Sequence, residues 1–327
     1  MQFLPRRSLF STLALCALGA WSAFSAMAQD YPNKSIRLIV PFAAGGAVGA
    51  VARVLSTPLQ VGLGQSIVID NRGGAGGIIG MDAVAKSPPD GYTLLLAHSG
   101  ITYMPGLYRT LPFDPEKDFE PVITAVTGLY VLAVSNDAPF KTIAEMVAYA
   151  KANPSKLSYG SAGIGSTLHL GTEFLKRAAG INIIHVPYKG AAQATTDLVG
   201  GQIPLMFGPS PVLVPMVQAG RLRGLAYTGL KRSPQLPNLP TADELGVKGY
   251  EATGWYGIYG PRGLPRAIVE QLNRAVNKII DMPDTRERFN ALNLEPVGGT
   301  PEQFAEFLKA DLKKYADIAK KANIQPE

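Results

Sequence analysis

Short apolar runs alternate with helical patterns along this chain. Ile36–Val40, Ser66–Ile69, Thr93–Ala97, Val131–Val134, Ile183–Val186, Ile203–Phe207 and Leu222–Tyr227 read as buried strands. Between and after them, apolar residues recur at helical spacing. Thr142–Ala152 carries Ile143, Met146, Val147 and Ala150 on one face, and Ser166–Ala179 carries Leu168, Phe174 and Leu175 with Glu173 and Lys176 outward. Pro265–Ile280 aligns Ile268, Leu272, Val276 and Ile279, and Pro301–Asn323 aligns Phe304, Phe307, Leu308 and Leu312. Strands alternating with helices predict an α/β protein with mainly parallel sheets.

One device recurs where the patterns meet: an apolar strand, a glycine-rich turn, then a helix. It occurs at Pro41–Gly46, at Asn71-Arg72-Gly73-Gly74-Ala75-Gly76-Gly77 and at Tyr159-Gly160-Ser161-Ala162-Gly163-Ile164-Gly165-Ser166. A looser copy is His185-Val186-Pro187-Tyr188-Lys189-Gly190. Such a turn exposes N–H donors at the positive end of a helix dipole, and glycine lets a ligand approach the backbone. One end favours an anion by roughly 0.3–1 kcal/mol, so several converging ends could hold a carboxylate without an arginine. Two copies fall early and two fall between 155 and 195. One pair per lobe, facing across a cleft, is the economical arrangement, because ligands of open α/β sheets bind beyond the carboxyl ends of the strands.

Composition adds a compartment. Arg6 and Arg7, the apolar run Leu9–Phe24 and Ala26-Met27-Ala28 match a secretory signal peptide over residues 1–28. The single cysteine, Cys16, leaves with it, so disulfides, thiol nucleophiles and cysteine metal sites are excluded from the mature chain. Removing the two arginines takes Lys+Arg from 31 to 29 against 25 acids, a formal charge of +4. No dense basic run accompanies it, which argues against a nucleic-acid partner. Roughly 300 mature residues exceed one core, so two lobes are expected.

Catalytic and cofactor signals are thin. No G-x-x-x-x-G-K-[ST] or G-x-S-x-G occurs, and Ile79 stands where the third glycine of G-x-G-x-x-G belongs after Gly74 and Gly76. The three histidines, His98, His169 and His185, make no metal-ligand set. His169 is placed to pair with Glu173 on a helix, and His185 reads as structural. His98-Ser99 follows a buried strand and faces the expected cleft. Asp114, Glu116, Asp118 and Glu120 read as a solvated acidic loop, not an acid–base pair. No cofactor or metal is expected.

The segments VPFAAGG, NRGGAGGIIG, DGYTLLLAHSG, LPFDPEKDFEPV, YGSAGIGSTLHLGTEFLK, HVPYKGAAQATTDLVGGQIPLMF, AGRLRGLA and LPTADELG occur in one collinear order. From about residue 31 to the C-terminus, that order resembles the tripartite tricarboxylate transporter substrate-binding proteins, the Bug (Bordetella uptake gene) family. The resemblance implies a periplasmic solute-binding protein of two-lobe, type II Venus flytrap fold. Its crossovers would lie near residues 127–132 and 250–255. Residues 30–129 and 254–327 would form the first lobe, with the C-terminal helices packed back on it, and 130–253 the second. The ligand would be a small carboxylate, the partners membrane transporter subunits, and the protein a monomer. Carried over by position, Phe42, Ala44, Gly45 and Gly46 form the first binding turn, and Ala75, Gly76 and Gly77 the second. Ser161, Gly163, Gly165, Ser166 and His169 form the opposite wall, continued by Lys189 and Gly190, with Gly208-Pro209-Ser210 near the distal end.

Two departures from the resemblance bear on the ligand. Family chains often carry Asp three residues after the glycine pair, where this one has Gly49, and Asp after Leu205-Met206-Phe207, where it has Gly208. Each absence removes an anion that an ammonium group would need. The expected ligand is therefore a di- or tricarboxylate or an aromatic carboxylate without an amino group, with Gly208 leaving room for a larger distal group. A ligand-sensing receptor for a signalling partner is the alternative within binding proteins. An exported hydrolase or isomerase using Ser161, Ser166 and His169 is the alternative outside them.

Overall fold

The computed structural model describes residues 31–164, 166–245 and 253–321. The expected signal peptide, Gly165 and residues 250–252 of the second crossover lie outside them. Two sheets are joined through one long strand. In the first, β1 (Ile36–Val40) pairs in parallel with β2 (Ile67–Asn71) and β3 (Thr93–His98). Next comes β9 (Thr253–Pro261), antiparallel to β3, and then the leading part of β4 (Phe119–Ser135), antiparallel to β9. The short β10 (Leu294–Pro296) closes that side.

At Leu129–Tyr130 the pairing of β4 changes. Up to Leu129 its partner is β9; from Tyr130 onward it pairs with β7 (Leu205–Pro209) and β8 (Leu222–Tyr227). Beyond β7 lie β5 (Ser158–Ser161) and β6 (Ile184–Pro187), both parallel. The sheets are thus mixed, which corrects the expectation of mainly parallel ones. Strands reached through helical crossovers are parallel, as such connections require. The strands that carry the chain through the junction, β4 and β9, run antiparallel to their neighbours.

Periodicity locates only the end of β4 and misses β9. Pro121, Thr124, Thr127 and Gly128 interrupt the apolar run in β4. In β9, Gly254, Gly257 and Gly260 imitate a loop. Their role is steric: the Tyr130 ring covers Gly254, Phe304 covers Gly257 and Leu264 covers Gly260, each where a side chain would begin.

The helices cover both sheets. On the first side are α1 (Ala47–Leu63), α2 (Ile78–Ala85), α3 (Gly100–Tyr103), α8 (Arg266–Ile280), α9 (Pro283–Ala291) and α10 (Pro301–Lys321). On the second are α4 (Ile143–Ala152), α5 (Thr167–Ala179), α6 (Ala191–Val199) and α7 (Ser210–Gln218). The last helix packs on the first sheet. Phe304 of α10 meets Trp255 and Tyr259 of β9, and Asp311 accepts hydrogen bonds from Trp255 Nε1 at 3.0 Å and Thr102 Oγ1 at 2.7 Å.

A polar knot ties the two sides beside β4. Asn293, in the left-handed region at φ 55°, precedes β10. Its carbonyl accepts from Ser210 Oγ at 3.2 Å, its Oδ1 accepts from Ser233 Oγ at 2.6 Å, and its Nδ2 donates to the Tyr227 hydroxyl at 3.1 Å.

Candidate functional site

Each parallel strand ends in a turn, and the turns meet. A Cβ at Gly45 would lie 3.1 Å from Ala192 Cβ, and one at Gly190 3.4 Å from Ala43 Cβ. A Cβ at Gly163 would lie 3.2 Å from the Tyr188 carbonyl and 3.5 Å from Gly76 N. Turns from both sheets therefore touch backbone to backbone, and glycine is what permits that approach. Asn71 Nδ2 donates to the Phe42 carbonyl at 2.9 Å and ties the first two turns together.

Several of these turns spend their own donors. Gly77 N–H bonds the Gly74 carbonyl, Gly163 N–H bonds Ser161 Oγ, Ser166 N–H bonds the Gly163 carbonyl, and Ser166 Oγ caps α5 by accepting from His169 N–H. Lys189 N–H bonds Gln193 Oε1. The helices behind the turns are different. No side chain caps α1 at Gly46, α6 at Gly190 or α7 at Pro209. The first N–H groups of a helix have no partner within it, so these ends carry both donors and positive dipole.

Those ends line one half-open cavity between the sheets. Gly46, Ala47 and Val48 come from α1, Thr167 and Leu168 from α5, Ala191 from α6, and Pro209 precedes α7. Phe42, His98 and Ala162 enter from the turns, and Tyr130 and Tyr256 from the crossover strands. None of these side chains is acidic, lysine or arginine. A second cavity, behind Phe207 and walled by Leu132, Ile143 and Leu175, is an apolar packing gap in the second side.

His98 sets the electrostatics of the site. Its ring stacks on Phe42 at 4.8 Å, and Nδ1 accepts from Gly100 N–H at 2.7 Å, so the neutral ring carries its proton on Nε2. Burial lowers its pKa from 6.5 to about 4. The cavity therefore presents a neutral imidazole at ordinary pH. A base whose folded pKa is depressed binds more protons unfolded, so stability falls as pH drops from about 6.5 towards 4. Moving from pH 7 to pH 5 is expected to cost about 2 kcal/mol through His98 alone. Denaturant titrations at the two pH values check this, with His98→Gln giving a flatter dependence.

The other histidines form a stack beside the site. His185 lies between Tyr159 and His169, with ring centroids 4.9 and 4.2 Å away. Its Nε2 contacts Ser161 Oγ at 2.6 Å, and burial, then the neighbouring His169, lower its pKa to about 4. Tyr159 donates to Glu173 at 2.7 Å and Lys176 pairs with the same carboxylate. Glu173 thus serves Tyr159 and Lys176, and His169 adds an electrostatic pull on it. Ser161 is fully buried and contacts His185, not His169. Of the three residues that the hydrolase alternative would use, Ser161 Oγ meets the His185 ring and Ser166 Oγ accepts from the backbone N–H of His169.

Of the residues singled out from sequence, Phe42, Gly46 and His98 line the cavity. Ala44 and Gly45 are exposed at its rim, Ala75 is exposed, and Gly76 and Gly77 are buried behind it. Ser99 is buried, its Oγ 3.4 Å from the Tyr130 hydroxyl, and Ser210 binds Asn293. Gly165 lies outside the described residues. Two readings need correction. The space beside Gly208 is filled by Leu213 and Met206 rather than open to a distal ligand group. A side chain at Gly49 would begin 3.4 Å from Arg53 Nη1, so an acid there would face an arginine and not the cavity. Pro209 lines the cavity within the Gly208-Pro209-Ser210 loop named from sequence, whereas sequence reasoning missed Ala47, Val48, Ala162, Thr167, Leu168 and Ala191, each within a residue or two of a glycine or serine it named. For Tyr130 and Tyr256 no local signal exists.

A two-sided α/β fold with a half-open cavity, lined by no acidic, lysine or arginine side chain and placed where helix N-termini converge, defines a solute-binding protein. The description "Tripartite tricarboxylate transporter family receptor" matches residues 51–324, and the chain belongs to that family. It is similar to the "UPF0065 protein in tcbD-tcbE intergenic region" of Pseudomonas sp. (strain P51), with 39% identity over 96% of this chain and 93% of that one. The solved periplasmic binding protein BugD is 37% identical, with a TM-score of 0.88 covering 91% of this chain and all of BugD (100%). An R. palustris protein solved with adipate is 38% identical, with a TM-score of 0.87 and coverage of 91% and 100%. Its family relatives and structural neighbours are solute-binding proteins, and small carboxylates are the class of ligand they support. Among the described residues, no helix is long and apolar enough to cross a membrane.

Proposed function

We propose that this chain is a periplasmic receptor that captures a small organic acid lacking an amino group and delivers it to a tripartite tricarboxylate-type membrane transporter. The observation that carries the reading is the cavity itself: uncapped helix ends converge on it, and no charged side chain lines it. A carboxylate is held there by backbone N–H groups at the start of α1 and α6, with the Thr167 hydroxyl and the His98 ring as neutral donors. The N–H groups of Gly77 and Gly163 are spent within their own turns, and Gly163 and Gly76 bring the backbones together. An ammonium group would find no acid and would be buried unpaired at a cost of several kcal/mol. This support for an amine-free ligand replaces the weaker one from Gly49 and Gly208.

Residues 30–129 with 254–327 act as one lobe and 130–253 as the other, turning about the β4 junction. Ligand bridges the turns and stabilises the closed state. The bound acid is released unchanged.

Mass spectrometry of ligand retained through mild purification, followed by a thermal-shift screen, tests this. Adipate and other amine-free carboxylates should raise the melting temperature, by an amount equivalent to about 2.7 kcal/mol at a hundredfold excess over Kd. Aspartate and glutamate should leave it unchanged. Equal stabilisation by aspartate, or no response to any carboxylate, defeats the reading.

A further inference from the structure

Away from the cavity, the two sides touch through a second and apolar contact. Leu170 of α5 is buried against Tyr103 and Leu107, which follow β3 on the first side. Phe174, one turn further along α5, packs on the same cluster together with Tyr108 and Tyr315. Tyr315 belongs to α10 and meets the Tyr103 ring edge to face. The Tyr108 hydroxyl donates to the Ile164 carbonyl at 2.7 Å. None of these residues lines the cavity, whereas Thr167 and Leu168 at the start of the same helix do. One rigid helix thus carries a cavity wall at its N-terminus and this contact one and two turns later.

The platform under the cluster belongs firmly to the first side. Asp311 lies one turn before Tyr315 on α10, and its carboxylate fixes Thr102 and Trp255. Tyr103 adjoins Thr102. Tyr103 and Tyr315 are therefore anchored by contacts within the first side.

We propose that this cluster is an aromatic clasp: a ligand-independent contact between the lobes that keeps a populated closed state in the free protein and so sets affinity from a distance. It rests on the lobe-closing reading above. A ligand that binds the closed state has an apparent Kd equal to its intrinsic Kd divided by the closed fraction. Removing the clasp lowers that fraction without touching the ligand. Apolar burial is the driving term, because the cluster buries Tyr103, Leu107 and Leu170 and half-buries the rings of Tyr108, Phe174 and Tyr315.

Small-angle X-ray scattering on ligand-free protein tests the clasp independently of any ligand. Leu170→Ala should raise the radius of gyration above that of wild type, and Tyr108→Phe, which deletes one hydroxyl, should shift it the same way by less. Adipate should bind Leu170→Ala about tenfold more weakly and Tyr108→Phe about twofold more weakly. Unchanged scattering in both variants overturns the clasp, as does a wild type already as extended as Leu170→Ala. Circular dichroism confirms that each variant is folded. Should Leu170→Ala fail to fold, Tyr108→Phe and Tyr315→Leu carry the same comparison. Should adipate fail to bind wild type, the ligand reading fails while the scattering still decides the clasp.

Discussion

Gly163→Val is expected to weaken ligand binding by at least a hundredfold while both lobes stay folded. Two effects combine at this position. Gly163 adopts φ +114°, which side chains with a Cβ rarely adopt, so any substitution is strained by about 1–3 kcal/mol. That strain acts in open and closed states alike and shows as stability. The second effect acts only on closure. The new Cβ would lie 3.5 Å from Gly76 N across the cleft and 3.2 Å from the Tyr188 carbonyl within its own side. Valine adds two methyl groups beyond that Cβ, so the turns cannot reach their closed separation. A hundredfold loss corresponds to about 2.7 kcal/mol of closing free energy, modest for a backbone contact blocked by a branched side chain. Calorimetry with a carboxylate that stabilises wild type measures it. Gly180→Ala is the control: φ there is +61°, but a Cβ meets nothing within 4 Å. It should lose stability and keep its affinity. If Gly163→Val binds as tightly as Gly180→Ala, the meeting of turns is not the closing step.

Phe304→Ala is expected to cost about 3–5 kcal/mol, the range for emptying a large buried aromatic site. The ring is 2% exposed, stands 5.6 Å from Trp255 and 4.9 Å from Tyr259, and lies directly over Gly257. Gly257 cannot fill the space, and β9 is held between β3 and β4, so the strand has little freedom to collapse. The loss should also loosen α10, which carries Asp311 and Tyr315. Denaturant unfolding followed by Trp255 fluorescence gives the number; a loss below about 1.5 kcal/mol would mean that the site repacks. Gly257→Ala should also destabilise, since it drives a methyl group into the same ring. The double variant should be less costly than the sum, because each change relieves the other.

The strands and helices of both sides were legible because their apolar residues keep the period of the element they form. Ile36–Val40 and Leu222–Tyr227 match their sequence readings to the residue, and the amphipathic patterns after Pro265 and Pro301 became α8 and α10. β9 was not legible. Its period is steric, with glycines placed where Tyr130, Phe304 and Leu264 press on it from other elements. The same limit applies to β4, whose pairing partner changes at Leu129–Tyr130 with no local mark.

At the site, sequence gave the turns and structure reassigned their work. The glycine-rich copies after β1, β2, β5 and β6 were visible as strand, turn and helix. Which of their N–H groups face a ligand was not, because a turn can satisfy its own donors, as those of Gly77, Gly163 and Ser166 do. Gly49 and Gly208 show the same limit: an absent side chain says nothing about where it would have pointed. One points to Arg53 and the other to Leu213.

The sequence by itself determined the alternating α/β elements, the glycine turns that end the parallel strands, and the ordered motifs that place the chain in its family. These are encoded over a few residues, through period, backbone freedom and local order. Only the tertiary structure decided which helix ends share a cavity, that Tyr130 and Tyr256 line it, that Ser161 meets His185, and that Leu170 closes on Tyr103. Those are distances between elements tens to hundreds of residues apart, and they are fixed by how two sheets pack about one strand rather than by any residue's neighbours in the chain.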